Sequence, residues 1–385
     1  MLAPFRRTRA KATRKLRRAT ISAVTNAWGA VLTPAKPAKK TRKPKSAKAA
    51  PKPAAAKAAA KAPARPRKKT PKDSTPRADR KPAVPATSRS RSTRPRGSAF
   101  TSGTFDSEFG ARSYRLYVPA VARTAPDPLP LIVMLHGCGQ SSLDFARGTG
   151  MNTLAEEFGF LVLYPSQARA SHHYGCWNWY RRGDQARDAG EPALLAGLTR
   201  RIIADHNVDP ARVYVAGLSA GASAALVLAT SYPDIFAAAG VHSGLAVGAA
   251  YDAASAPIAM QSGNPGLPHR IQLPTIVFHG DSDRTVSPRN GRFVALRALE
   301  PYARLDRAEK TGRIPGGREF TRIVHRVGRG RPYVEQWVVH GSGHAWSGGH
   351  SAGSYTDPAG PDASREMVRF FLRHRTTKKW RQALA

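Results

Sequence analysis

Apolar and polar positions divide this chain near residue 100. Beyond Ser113, short apolar runs alternate with stretches whose apolar residues recur at helical spacing, which predicts strands alternating with helices. Strands are expected at 114–118, 131–135, 161–164, 212–216, 238–242, 275–278 and 334–339. Helices are expected at about 144–157, 192–206, 220–232, 289–299 and 364–373. Several of the central strands are apolar at every position, as a mostly parallel sheet covered on both faces requires. Before residue 100 apolar residues are sparse. One group, Ile21, Val24, Ala27, Trp28, Val31 and Leu32, recurs at helical spacing after the basic run Arg14 to Arg18, so a short amphipathic helix is expected within 14–32.

Charge sharpens the division. Residues 1–100 hold 30 of the 62 Lys and Arg but only two of the 25 acids, Asp73 and Asp79, which places +28 of the formal +37 there. Phe5 and Trp28 are the only aromatics before Phe100, so this segment cannot bury a core. Residues 1–98 are therefore expected to be a disordered basic tail, 99–375 a catalytic domain and 376–385 a basic C-terminal extension. Alanine-lysine-proline texture such as that from Lys52 to Lys61 is similar to the tails of linker histones. Such a polycation binds polyanions by counterion release, so nucleic acid, anionic lipid or a granule surface are candidate partners, with a plain solubilising linker as the alternative. An export signal around Arg17-Arg18 is weak, because Thr20, Ser22, Thr25 and Asn26 interrupt its apolar stretch. No segment reaches the roughly 18 apolar residues of a membrane span, so a soluble or peripheral protein is expected.

Two segments match Gly-x-Ser-x-Gly: Gly217-Leu-Ser219-Ala-Gly221 and Gly349-His-Ser351-Ala-Gly353. The first follows an expected strand and precedes an expected helix, the setting in which a serine is presented on a strained turn. The second lies among Gly, Ser and His with neither neighbour, and reads as a loop. Doubly wound sheets place their chemistry at the carboxyl ends of strands. There the sequence has His136-Gly-Cys138, then His279-Gly-Asp281-Ser-Asp283, then His340-Gly-Ser-Gly-His344. Ser219, an aspartate and His344 then follow the chain order of an α/β-hydrolase, nucleophile before acid before base. In this arrangement Ser219 attacks, His344 accepts its proton and Asp283 orients His344, although spacing alone leaves Asp281 competing for the acid position. Backbone N–H groups of Cys138 and Ala220 are the expected oxyanion donors, each worth about 3 kcal/mol of barrier. His136 and His279 are expected to order their loops. His172-His173 has no third ligand at a recognisable spacing, so neither a metal nor another cofactor is expected.

These motifs resemble the PHB depolymerase family esterases, the type 1 catalytic domain of short-chain polyhydroxyalkanoate depolymerases. The resemblance rests on Leu135-His-Gly-Cys-Gly-Gln140, Cys176-Trp-Asn-Trp-Tyr180, Gly190-Glu-Pro192, the segment from Val213 to Gly221, Val241-His-Ser-Gly244 and Gly343-His-Ala-Trp-Ser-Gly-Gly349. It spans about 114–372 and implies an α/β-hydrolase fold and a serine hydrolase cleaving 3-hydroxybutyrate esters. It also implies Asp283 as the acid, through the pattern His-Gly-x-x-Asp-x-x-Val. Acetylxylan and feruloyl esterases share the same core and form the alternative; a granule- or nucleic-acid-associated protein acting through its tail is the alternative of another class. Because the family is largely exported, the resemblance further implies an extracellular protein with a Cys138–Cys176 disulfide; the competing expectation is a cytoplasmic or granule-associated protein with two reduced thiols. Trp177 and Trp346 are expected to line a substrate pocket and Trp179 to pack in the core.

Overall fold

The computed structural model describes residues 97–384. The tail expected over 1–98, with its helix at 14–32, lies outside them apart from Gly97 and Ser98. The described chain forms strands β1 (Ala99–Ser107), β2 (Gly110–Val118), β3 (Leu129–Leu135), β4 (Leu161–Pro165), β5 (Val208–Leu218), β6 (Ala238–His242), β7 (Thr275–Gly280), β8 (Asp306–Arg313), β9 (Glu319–Arg326) and β10 (Pro332–Val339). All ten belong to one sheet, in the order β1-β2-β4-β3-β5-β6-β7-β10-β9-β8. Its six central strands, β4 to β10 in that order, pair in parallel, and antiparallel hairpins close both ends. This is an α/β-hydrolase fold, with helices on both faces.

The apolar character of the central strands follows from that double cover. Side chains alternate faces along a strand: Leu131, Val133 and Leu135 of β3 join the core on one side, Ile132 and Met134 the core on the other. The first core includes Leu195 and Leu198 of α3 (Gly190–Asp205) and Leu226 of α4 (Ala220–Ser231). The second is closed by Phe145 of α1 (Ser142–Thr149), Leu154 of α2 (Met151–Phe158) and Phe370 and Phe371 of α7 (Ala363–Phe371). Two further helices, α5 (Ser255–Ser262) and α6 (Pro288–Leu299), flank β7 in sequence.

Three departures from the sequence pattern have physical causes. The single helix expected at 144–157 is two, because Gly150 takes φ 62° between α1 and α2 while the apolar period runs on across it. The hairpin β8–β9 was not expected, since β8 reads Asp-Arg-Ala-Glu-Lys-Thr-Gly-Arg and is exposed almost throughout; backbone pairing and ion pairs such as Arg313–Glu319 hold it instead of a buried face. The C-terminal extension forms α8 (Lys378–Leu384), fastened where Trp380 Nε1 donates to Pro233 O and Thr376 N to Ala211 O. No helix among the described residues is long and apolar enough to cross a membrane.

Between β5 and α4 the backbone is packed to its limit. A Cβ on Gly221 would lie 2.1 Å from the Leu135 carbonyl oxygen and 2.4 Å from that of His136. One on Gly217 would lie 2.4 Å from the Gly221 backbone. Helix propensity alone favours alanine over glycine by about 1 kcal/mol. Here the clash decides: Gly221→Ala is expected to destabilise by about 2 kcal/mol or more, as measured by urea unfolding, whereas a gain in stability would contradict the contact.

Candidate active site

Ser219 stands between β5 and α4 at φ 57°, ψ −121°, a conformation that costs a non-glycine residue about 1–3 kcal/mol. The neighbouring strand holds it there. Ser219 N donates to His242 O at 2.9 Å, while Ser219 O accepts from Ser223 N at 3.0 Å and from Ser223 Oγ at 3.3 Å. Ala220 is the first residue of α4, where N–H groups have no partner within the helix.

Asp283 and His344 meet at the carboxyl ends of β7 and β10. Asp283 Oδ2 accepts from His344 Nδ1 at 2.7 Å, which puts the hydrogen on Nδ1 and leaves Nε2 with a lone pair. Asp283 Oδ1 accepts from the amides of Thr285 and Val286, each at 2.9 Å, and His279 Nε2 lies 3.3 Å from Oδ2. Burial alone would raise this carboxyl. The charge of His344 and the hydrogen bonds from His279 and His344 outweigh it and hold the carboxyl well below the usual range. Asp281, the rival in sequence, is engaged elsewhere: its Oδ2 bonds His340 Nδ1 at 2.8 Å and its Oδ1 accepts from Gly341 N at 2.7 Å. His340 in turn reaches Thr321 Oγ1 at 2.9 Å, so this second Asp–His pair ties β7, β9 and β10 together.

The other histidines of these motifs hold backbone in place. His242 is buried at the end of β6, and its Nε2 accepts from Ser347 N at 3.0 Å. Its backbone thus anchors the Ser219 turn, and its ring anchors the segment just past His344. Burial, with His279 and His344 nearby, lowers its pKa to about 3. His136 bonds Gly137 O through Nδ1 at 2.8 Å and accepts from Gln167 N through Nε2 at 3.0 Å; burial lowers its pKa to about 4. His279 donates from Nε2 to Val286 O at 2.9 Å. His172 Nδ1 accepts from Tyr174 N at 3.2 Å, and no group of three or more metal-ligating side chains occurs among the described residues.

The loop after β3 offers one amide. Gly137 N donates to Gln140 Oε1, Gly139 N to Tyr174 O and Gln140 N to Gly137 O, which leaves the Cys138 N–H unengaged among the described residues. Cys138 is bridged to Cys176, 38 residues on. Behind the bridge lies a buried polar network whose only trace in the sequence is the Gly190-Glu-Pro192 motif. Glu191 accepts from Asn178 N at 2.6 Å and from Gln167 Nε2, and pairs with Arg112 Nη2 at 3.4 Å. Arg112, far away in sequence on β2, also bonds Gln167, whose Nε2 donates to Cys176 O at 3.0 Å. Burial raises the Glu191 carboxyl despite these partners.

Trp177 and Trp346 depart from their expected pocket role. Their exposures are 0% and 1%, and their indole N–H groups are spent inside, on His136 O at 2.9 Å and Ser364 Oγ at 3.0 Å. Trp346 stacks on His242 and meets Phe145 edge-on, so it is a wall of the core behind the site. Trp179 is buried as well. Ser351 is exposed in a loop between the two-residue strands β11 (Trp346–Ser347) and β12 (Thr356–Asp357). That loop is tied to the one after β3 by Gln140 Nε2, which donates to Ser354 O and Asp144 Oδ2, each at 3.0 Å.

The family model described as Esterase PHB depolymerase matches residues 112–294. Poly(3-hydroxyalkanoate) depolymerase C of Paucimonas lemoignei is 33% identical over 233 residues, covering 57% of this chain and 55% of the relative. Feruloyl esterase B of Neurospora crassa is 30% identical over 275 residues, covering 66% of this chain and 86% of the relative. The chain therefore spans about half the length of the depolymerase and most of the feruloyl esterase. Among solved structures, the acetyl xylan esterase of Aspergillus awamori shares the fold with a TM-score of 0.53 at 21% identity, covering 71% of this chain and 99% of its own.

Two measurements probe this architecture. Closing a 38-residue loop limits the unfolded chain by about 4 kcal/mol in the chain-entropy model, so replacing both cysteines by serine should lower the urea-unfolding free energy by about that much; an unchanged value would remove the bridge's structural role. Acid should act through the buried imidazoles, whose pKa values of about 4 for His136 and about 3 for His242 lie below the unfolded value of about 6.5. Below pH 6.5 the unfolded chain binds protons that the folded chain refuses, so stability is full above that pH and falls beneath it by up to about 1.4 kcal/mol per pH unit for each ring. His242→Gln keeps an acceptor for Ser347 N and should reduce that slope by about one proton in a pH series of urea titrations; parallel curves would count against it.

Proposed function

The chain belongs to the PHB depolymerase esterase family, and from that premise we propose that it is a serine esterase acting on short-chain polyhydroxyalkanoate, as 3-hydroxybutyrate polymer or oligomer. The observation that carries the reading is the hydrogen bond of 2.7 Å between the buried Asp283 and the half-buried His344, at the same sheet edge as the strained turn of Ser219. In the first half-reaction Ser219 Oγ attacks the ester carbonyl carbon and passes its proton to His344 Nε2. The oxyanion is held by the amides of Cys138 and Ala220. The intermediate collapses with cleavage of the acyl C–O bond, and His344 returns the proton to the leaving alcohol. Water then attacks the acyl-enzyme by the same route, releasing the hydroxy acid and restoring Ser219. The histidine swings between neutral and charged while Asp283, kept ionised, stabilises the charged form.

A second reading, a feruloyl or acetylxylan esterase, is supported by the 86% of the Neurospora crassa relative that this chain spans. The substrate-facing difference between the two readings is an apolar aliphatic ester against a sugar-borne one. The disulfide and the family likeness support an extracellular protein. The +28 charge of residues 1–100 supports a polyanion as the tail's partner.

Ser219→Ala should lower kcat on p-nitrophenyl butyrate by about 10⁴-fold or more, and Asp283→Asn by about 10⁴-fold, while Asp281→Asn stays within a few-fold of the parent. Full activity in Ser219→Ala would end the proposal. Rates on poly(3-hydroxybutyrate) film, hydroxybutyrate trimer, acetylated xylan and methyl ferulate should be highest for the hydroxybutyrate pair; a preference for either of the last two selects the second reading.

A further inference from the structure

A second cleft opens at the amino ends of the central strands, away from Ser219. Ser219 lies seven residue steps beyond Arg212 along β5, about 23 Å at roughly 3.3 Å per residue, so the cleft is no part of the ester site. Its volume is about 500 Å³, and Arg212, Arg331, Arg373 and Arg375 line it against Asp127 and Asp209. Asp209 is already committed: Oδ2 accepts from Arg212 Nε at 2.6 Å and lies 3.6 Å from Arg375 Nη2, and Oδ1 accepts from Ala211 N. Arg331 and Arg373 have no carboxylate partner among the described residues. Arg331 lies over the Tyr333 ring and makes only a 3.5 Å contact with Arg373 O.

His374 lines the same cleft and is 2% exposed, yet neither ring nitrogen reaches a partner in hydrogen-bond geometry. Burial, reinforced by Arg331 and Arg373 and only partly opposed by the Pro332 carbonyl, lowers its pKa to about 3, so it is a neutral imidazole with one N–H to give. A buried polar group without a partner is costly, and a bound acceptor would relieve that cost. Adjoining this cleft is another of about 240 Å³ that shares Arg331, His374 and Arg375 with it. Its remaining wall is largely apolar, formed by Phe236, Leu273, Tyr302, Tyr333 and Trp380, and the Tyr302 hydroxyl is likewise buried without a partner.

We propose that the paired cleft binds a small amphiphilic organic anion, its phosphate or carboxylate head among Arg331, Arg373, Arg375 and His374 and its apolar body against Phe236, Tyr302 and Trp380. Guanidinium forks match the two oxygens of either head group, and aromatic walls reward an apolar body. Charge rules out the chain's own first hundred residues as the occupant, since they carry +28. The segment at stake is the one that fastens the C-terminus: Tyr214 donates to His374 O, and Thr376 N to Ala211 O. A ligand here therefore draws α7, α8 and β5 together.

The test uses the full chain, with phenyl phosphate, benzoate, inorganic phosphate and phenol as probes, calorimetry for affinity and selectively labelled histidine NMR for location. At least one aryl anion should bind tenfold or more tightly than both inorganic phosphate and phenol, and should move the His374 ring signal. The tighter of phenyl phosphate and benzoate identifies the head group. The double variant Arg331→Gln/Arg373→Gln should lose at least tenfold in that affinity while keeping p-nitrophenyl butyrate hydrolysis, which reports an intact fold. A stationary His374 signal, binding unaltered in the double variant, or neither aryl anion binding more tightly than inorganic phosphate and phenol would each overturn the proposal, the second by showing that the basic tail holds the anion.

Discussion

The approach of the Gly221 backbone to the carbonyl oxygens of Leu135 and His136 governs the carboxyl edge of this sheet. With no side chain at 217 or 221, the start of α4 lies directly against the end of β3, and the turn between has only one course to take. Ser219 is forced to φ 57° on that course, its backbone N–H clamped to His242 on the next strand. The same contact puts the amide of Ala220 beside the loop that begins at His136, so the proposed nucleophile and oxyanion donors come from one packing event. A side chain at either glycine would separate them all at once. The strain at Ser219 is offset by the interlocked backbone around it and by a core that buries both faces of the neighbouring strands.

A second layer holds the loop after β3 where the elbow needs it. The loop's amides, apart from that of Cys138, are consumed internally or by Tyr174, and the disulfide fixes Cys138 to a segment whose own position depends on Glu191. Glu191 is buried, and an isolated carboxylate there would be costly. Arg112, Gln167 and Asn178 make it tolerable, and in doing so they join β2, the end of β4 and the first turn of α3 behind the loop. The ion pair is better understood as a means of positioning than as a source of net stability, since burying both charges offsets most of their attraction.

What the sequence disclosed follows the same logic. Strands buried on both faces are uniformly apolar, and glycines that admit backbone contact recur at fixed spacing, so β3 to β7, α4 and the elbow were legible, as were Asp283 and His344 at their strand ends. Elements held by backbone pairing and surface charge, β8 above all, have no apolar period to read. The break at Gly150 was hidden because the apolar face continues across it. Asp281 and Asp283 are two residues apart and both bond a histidine, so spacing alone left them level; the family pattern pointed to Asp283, and the fold gives each aspartate its own histidine, His340 for Asp281 and His344 for Asp283. Trp177 and Trp346 were misjudged because an aromatic beside a catalytic motif looks alike in sequence whether it faces substrate or supports the loop from behind. Their indole N–H groups find partners in the interior, and that decides it.

The proposed mechanism requires one base to be singled out among the five imidazoles around the site. His136 and His242 are buried, their lone pairs already used on the amides of Gln167 and Ser347, and burial keeps both neutral far below physiological pH. His279 donates its Nε2 hydrogen to Val286 O and sits at the edge of the Asp283 carboxylate. His340 has an aspartate of its own, but its second nitrogen is occupied by Thr321. His344 alone combines a carboxylate on Nδ1 with an Nε2 that has no protein partner among the described residues. Asp283 can serve it because two amides and two imidazoles keep the carboxylate ionised in spite of burial. In the proposed turnover, protonation of His344 would place its positive charge against a carboxylate already desolvated and oriented, so little reorganisation would be needed when the proton moves. The surrounding neutral rings hold the backbone in place without competing for that proton.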